Sequence, residues 1–179
     1  LLMVLAIIIY YGMYFLASFT KGYVPKDLSY QPKVSILIAS KDEKDLLART
    51  IDSILKSNYP KENIQLVVIT SESSDGSTKY CEDLAKKEKK MEIIIVSEDQ
   101  EKKGKPPALN MGLKKVKNDI VLLYDSGAIL EKDTLKYLLA SFKNDEVNAV
   151  IGPVLVKNWN KNSLTKGIAL DYAIVSGGG

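Results

Sequence analysis

The sequence predicts an α/β fold: a mostly parallel sheet sandwiched by helices and preceded by one transmembrane helix. Three observations carry that expectation. Short apolar runs of strand length alternate with longer segments whose apolar residues recur at helical spacing, the pattern of a parallel sheet wrapped by helices. One such run, Ile120 to Tyr124, has no polar alternation and stops at Asp125-Ser126-Gly127, as expected of a strand covered on both faces that delivers an acid to its carboxyl end. The first residues, Leu1 to Phe19, carry no charge, and at helical rise such a run extends about 30 Å, the thickness of bilayer hydrocarbon.

Residues 1–20 are therefore read as a membrane span. A signal peptide would show a basic leading region and a small-residue cleavage pattern, and neither is present. Lys21, Lys26 and Lys33 follow the run, which by the positive-inside rule makes this a single-pass protein of the cell membrane with its following domain in the cytoplasm. Residues 21–33 form a connector in which Pro25 and Pro32 resist regular structure. The domain proper runs from 34 to 179.

Val34 to Ala39 reads as its first strand, and Ser40 or Asp42 can cap a following helix with Leu46, Leu47, Ile51, Ile54 and Leu55 as its apolar stripe. Ile64 to Ile69 is a second strand running into the small polar residues Thr70 to Thr78, and Lys79 to Lys90 is a helix with Tyr80, Leu84 and Ala85 inward. Glu92 to Val96 is a third strand. After Gly104-Lys105, Pro106 and Pro107 suit a first helical turn, continued by Leu109, Leu113 and Val116. Beyond the fourth strand, Leu135, Leu138, Leu139 and Phe142 mark a helix, Ala149 to Val156 a strand broken by Gly152-Pro153, and Leu164, Ile168, Leu170, Ala173 and Ile174 an amphipathic helix.

Composition narrows the chemistry. The chain of 179 residues has a net charge of +3, with lysine clusters at 86–90, 102–105 and 114–117. These are solvated helix faces that would also suit anionic lipid headgroups, and no recognition motif accompanies them, so nucleic acid is not an expected partner. The single Cys81 excludes an internal disulfide and a cysteine zinc cluster. The absence of histidine excludes Ser-His and Cys-His nucleophiles.

Three loops, Ala39 to Glu43, Thr70 to Ser77 and Asp125 to Ala128, each follow a strand and should gather at one edge of the sheet, where ligands of open α/β sheets bind. Two of them open helices whose N-termini favour anionic groups. Asp125 alone could be a turn residue. Facing loops suited to phosphate, it reads instead as a ligand of a divalent metal, Mg²⁺ or Mn²⁺, held jointly with a nucleotide diphosphate.

The residues that follow one another here, Pro32-Lys-Val-Ser-Ile-Leu-Ile, Asp42-Glu43, Leu-Ala-Arg-Thr-Ile-Asp-Ser-Ile-Leu, Ser74-Asp75-Gly76-Ser77-Thr78, Gly104-Lys105-Pro-Pro-Ala-Leu-Asn110-Met-Gly112-Leu and Asp119-Ile-Val-Leu-Leu-Tyr-Asp125, resemble in order and spacing the membrane-bound family 2 glycosyltransferases of the cellulose- and hyaluronan-synthase type. The resemblance covers about 32–156. It implies a GT-A, Rossmann-like fold that binds a UDP- or GDP-sugar with a divalent metal. Ala39, Asp42 and Glu43 occupy the family's Pro-x-x-Asn-Glu positions, with Glu43 toward the nucleoside. Glu72 and Asp75 lie in the loop after the second strand, where the family's paired aspartates are replaced by Thr70 and Ser71 and Glu72 is the substitute. Gly104, Lys105 and Asn110 match the diphosphate loop and helix. Asp125 matches the first acid of the family's metal-binding Asp-x-Asp, and Gly127 stands in place of the second.

The family's catalytic base lies in a later acidic motif, and after Val156 the one acid is Asp171, read as a solvated helix residue. The domain is thus expected to be truncated at its C-terminal end, to bind donor without transferring sugar by itself, and to be completed by a second chain. The alternative from another class is a non-catalytic, membrane-tethered nucleotide-sugar-binding protein or subunit.

Overall fold

Apolar runs pair in parallel to build the scaffold. In the computed structural model, which describes residues 2–17, 25, 27–70, 73–97 and 104–175, the strands β1 (Val34–Ala39), β2 (Ile64–Ile69), β3 (Glu92–Val96) and β4 (Ile120–Leu123) form one parallel sheet in the order β3-β2-β1-β4. Leu37 of β1 is level with Val67 of β2 and Leu123 of β4, so all carboxyl ends lie at one edge. The helices of this unit, Asp27–Lys143, are α2 (Lys44–Leu55), α3 (Ser77–Lys87), α4 (Lys105–Leu113) and α5 (Thr134–Ala140).

Strand alternation divides the core in two. Ile36, Ile38, Leu66 and Val68 point to one face, where Leu47, Ile51 and Ile54 of α2, Cys81 of α3 and Leu135 and Leu139 of α5 bury them. Leu37, Val67 and Ile69 point to the other, which Ala108 of α4 helps to cover. Cys81, which the sequence did not place in the core, is fully buried, and burial pushes its thiol up to about 11, so it packs as a small apolar residue.

The expectation that β4 is covered on both faces is corrected. Ile120 and Leu122 pack on the first core, whereas Val121 and Leu123 are exposed, Leu123 by 57%. The reason is reach: α4 packs on β1 and β2, and no helix among the described residues covers that face of β4. The doubly buried strands are β1 and β2.

A second unexpected feature lies at the opposite end of the strands. Gln65 interrupts the apolar run of β2 and is 2% exposed. Its carbonyl oxygen accepts from the Ser35 hydroxyl at 2.6 Å and the Lys117 N–H at 3.1 Å, and its amide donates to Glu92 and to the Lys115 carbonyl, both at 3.2 Å. One side chain thus ties the starts of three strands to the turn after α4, and the buried amide is satisfied rather than costly.

The other unit, 1–26 with 144–179, contains α1 (Leu2–Ala17) and α6 (Ser163–Val175). The sequence placed a span at 1–20. Residues 1 and 18–20 of it lie outside the described residues, and α1 measures about 24 Å at helical rise, short of the roughly 30 Å hydrocarbon layer. No helix among the described residues is long and apolar enough to cross a membrane. The strand expected over Ala149 to Val156 is also corrected: the segment is irregular, because Pro153 has no N–H to give a ladder, and Ile151 and Leu155 are exposed. Leu164, Ile168 and Leu170 of α6 are exposed too.

Gly112 lets α4 approach the sheet closely. A Cβ there would lie 2.7 Å from Ile69 Cδ1, 3.1 Å from its Cγ1 and 3.4 Å from Leu37 Cδ2, side chains already fully buried. Gly112→Val should therefore lower unfolding free energy by about 1–3 kcal/mol through overpacking, measured by urea denaturation. Gly167→Ala, where nothing lies within 4 Å, should not.

Candidate functional site

The strand order fixes where a ligand can sit. The chain proceeds outward from β1 to β2 to β3, then returns to place β4 on the other side of β1. The crevice outside the carboxyl ends of β1 and β4 is the topological switch point, the usual ligand position in open α/β sheets. Ser40 to Glu43 line one side of it and Asp125 to Ala128 the other.

Asp125 and Lys105, the first residue of α4, form an ion pair across this edge. Their side chains are 72% and 53% exposed. An exposed pair is worth at most about 1 kcal/mol, so an incoming anion or cation can replace either partner at little cost. Next to Asp125, the Ser126 hydroxyl meets that of Ser40 at 3.4 Å, joining the ends of β4 and β1.

The 125–130 loop is held from beneath by α2. Thr50, fully buried, accepts the Gly127 N–H at 2.9 Å, and its hydroxyl proton is shared between the carbonyls of Ala128 at 2.9 Å and Leu46 at 3.1 Å. Ser53 accepts the Leu130 N–H at 3.0 Å and donates to the Thr50 carbonyl at 2.7 Å. Gly127 has φ +92°, a conformation that suits glycine and strains a side chain such as Asp. Thr50 and Ser53 were missed in the sequence; the available signal was two hydroxyls set into the buried stripe of an amphipathic helix.

Across the crevice, the loops after β1 and β2 are knotted together by two carboxylates. Asp42, at φ +54°, accepts the Ser74 N–H at 2.7 Å and the Ser74 hydroxyl at 3.1 Å, while its own N–H donates to Ser73 Oγ at 3.2 Å. Asp75 accepts the Lys44 N–H at 2.6 Å and the Ser77 N–H at 3.0 Å, so one side chain satisfies the first turns of both α2 and α3. This corrects the assignment of the α2 cap to Ser40 or Asp42: Glu43 is at the cap position without a side-chain cap bond, because the Asp42 carboxylate is spent on Ser74. The two helix N-termini expected to face an anion are therefore already occupied in part by the protein's own acid.

Ala39 ends β1 and is half-buried, and Glu43 is exposed beside it. Gly104 precedes Lys105 at the start of α4. Asn110 is exposed: Ala108 and Gly112 are the buried residues of α4, and Asn110 is about 200° around the helix from each. Glu72 lies outside the described residues. Thr70, standing where paired aspartates were expected, is buried and its hydroxyl is 2.8 Å from that of Thr78, so it faces α3. Asp171 is exposed on α6.

No group of three or more His, Cys, Asp or Glu residues that could hold a metal ion occurs among the described residues. Asp125 at the switch point is therefore a donor that fits a divalent cation shared with a ligand's phosphates and not a resident ion held by protein alone.

Against this geometry stand the comparisons with known proteins. The model of the family described as Glycosyl transferase family 2 matches residues 35–175. The chain is 30% identical over 141 residues to the probable glycosyltransferase YdaM of Bacillus subtilis, covering 78% of this chain and 34% of that protein. It is 30% identical over 145 residues to the poly-beta-1,6-N-acetyl-D-glucosamine synthase of Staphylococcus aureus, covering 80% and 34%. The chain thus spans about a third of the length of these relatives. Among solved structures, the mannosyltransferase PcManGT from Pyrobaculum calidifontis, in complex with GDP-Man and Mn²⁺, superposes with a TM-score of 0.69 at 25% identity, over 82% of this chain and 43% of that one.

The double cap carries a pH signature. Hydrogen bonds from the Ser77 hydroxyl first, and then from backbone N–H groups, hold the Asp75 carboxyl below its ordinary value. Its contribution is fully present above the unfolded carboxylate value near about 3.9 and is lost as pH falls through the lower folded one. Asp75→Ala should lower the urea midpoint at pH 7 and flatten the acid limb of the stability profile. Ser77→Ala should cost less, since the Lys44 and Ser77 N–H groups keep their acceptor.

Proposed function

The chain belongs to glycosyl transferase family 2, and from that premise we propose that its Asp27–Lys143 unit binds a nucleotide-diphosphate sugar as the donor part of a sugar-transfer site. The observation that carries the reading is the exposed Lys105–Asp125 pair at the switch point. Lys105 supplies a cation for the diphosphate that departs in transfer, where stabilising developing negative charge is the main requirement. A divalent cation, when bound, would neutralise the diphosphate further, and Asp125 is the residue that would hold it together with the phosphates.

Ala39, Asp42 and Glu43 on one wall, with Glu72 and Asp75 from the next loop, are the proposed contacts of the nucleoside, and Gly104 and Asn110 belong to the proposed diphosphate segment by resemblance. A UDP- or GDP-sugar is the donor class; the GDP-Man in the structural neighbour supports it. Removal of the acceptor proton needs a carboxylate base, and no residue of 27–143 is assigned to it; a further segment, in this or a second chain, would supply it.

We also propose that the N-terminal segment attaches the protein to the cell membrane, with the donor-binding unit on the cytoplasmic side. In support, α1 is uncharged all round, with Leu2, Met3, Ile8 and Phe15 exposed, an arrangement that water disfavours. Flotation with liposomes should carry the full chain upward and leave a chain without residues 1–26 at the bottom. Flotation of both equally would remove the anchor.

For the donor site, calorimetry with UDP and GDP in the presence and absence of Mn²⁺ should show binding by the wild type. Lys105→Met should weaken it on the order of tenfold, the usual worth of a charge-assisted hydrogen bond. Asp125→Asn should remove its dependence on Mn²⁺. Absence of binding by the wild type to either nucleotide would sink the reading.

A further inference from the structure

We propose that Thr50 is a positioning residue for the donor site: from within α2 its buried hydroxyl grips the backbone of Gly127 and Ala128 and thereby places the Asp125 carboxylate opposite Lys105. The inference rests on the donor-site reading above.

The side chain is unusual for its position. Thr50 occupies the buried stripe of α2 between Leu47 and Ile54, where an apolar residue would serve packing as well. Instead its oxygen accepts one N–H and donates to carbonyls at once, with the contacts to Gly127 and Ala128 both at 2.9 Å. The Asp125 carbonyl in turn accepts the Ala128 N–H at 3.2 Å, so the turn from 125 to 128 closes on itself and is fastened at its far side to Thr50. Gly127 is the residue at positive φ, the one point of the turn with alternatives open to it. Removing the hydroxyl leaves a half-buried N–H and carbonyl without partners, and the turn can recover them from water only by lifting away from α2. Asp125, at the head of the turn, moves with it.

Ser53 makes the contrasting bond. It holds Leu130, whose side chain is in the core, and so secures the exit of the loop and not its ligand-bearing half. Ile51, next to Thr50, is fully buried in the same core with no part in the loop bonds. Positioning and mere stability can therefore be separated by substitution.

The experiment uses the full chain as wild type, Thr50→Val, Thr50→Ser and Ile51→Val. Calorimetric titration with UDP and GDP, with and without Mn²⁺, is paired with amide exchange at Gly127 and Ala128 in the unliganded protein and with Tm. Thr50→Val should expose the Gly127 amide, whose acceptor it removes, weaken binding in Mn²⁺ by about tenfold, and narrow the difference that Mn²⁺ makes. Thr50→Ser should restore amide protection and affinity to within about twofold, since it keeps the hydroxyl. Ile51→Val should lower Tm with affinity and amide protection at 127 and 128 unchanged. Wild-type affinity and Mn²⁺ response in Thr50→Val, or an equal loss in Ile51→Val, overturns the positioning role alone. Failure of the wild type to bind either nucleotide removes the donor site and this inference with it.

Discussion

Parallel pairing of β1 with β2 on one side and β4 on the other is the constraint on which everything else in the Asp27–Lys143 unit depends. It is enforced from two directions. From Val34 to Ile38 the alternating side chains of β1 are fully buried on both faces, so a slip of one residue would exchange every side chain between two cores of different shape. At the start of the strands, Gln65 ties Ser35, Glu92 and the 115–117 turn to one amide, and a shifted register would leave that buried amide unpaired. Register then decides chemistry. With Leu37 level with Leu123, the residues following β1 and β4 emerge side by side, and a carboxylate and a lysine far apart in sequence become neighbours.

The protein uses its own acids to organise the ground around that crevice. Asp75 draws the first turns of α2 and α3 together, and Asp42 locks the loop between them. Two carboxylates that sequence patterns assign to ligand recognition are thus also the pins of the wall that would recognise it. The lysine at the head of α4 is differently placed. Its only partner among the described residues is the exposed Asp125, which leaves it free to exchange that partner for a phosphate.

What could be read from sequence follows from the range of the interactions involved. Strands β1 to β4 and the gathering of loops at one edge were legible, because apolar periodicity and βα alternation are local signals with a single parallel solution. The exposure of Val121 and Leu123 was not, because an apolar run says that burial is favourable and not what is available to provide it. The Thr70–Thr78 contact, the turn of Asn110 to the outside of α4 and the double duty of Asp75 were equally hidden: each depends on which loop meets which helix end. Thr50 shows the limit most plainly. In sequence it is one polar residue in an amphipathic helix, and its meaning appears only when Gly127 arrives above it from the far side of the sheet.

Strand β4 is the weakly held side of the sheet. It ends the sheet among the described residues, with one face open and Leu123 bare, while β1 on the other side of the crevice is clamped between two strands and two cores. Regions with few buried contacts open at lower free energy than those at the centre of a sheet. The switch point is therefore bounded by one stiff wall and one compliant wall, and the acid stands on the compliant one. Ligand contacts made through Asp125 would tighten that wall, whereas contacts made through the loop after β1 would meet a surface already set.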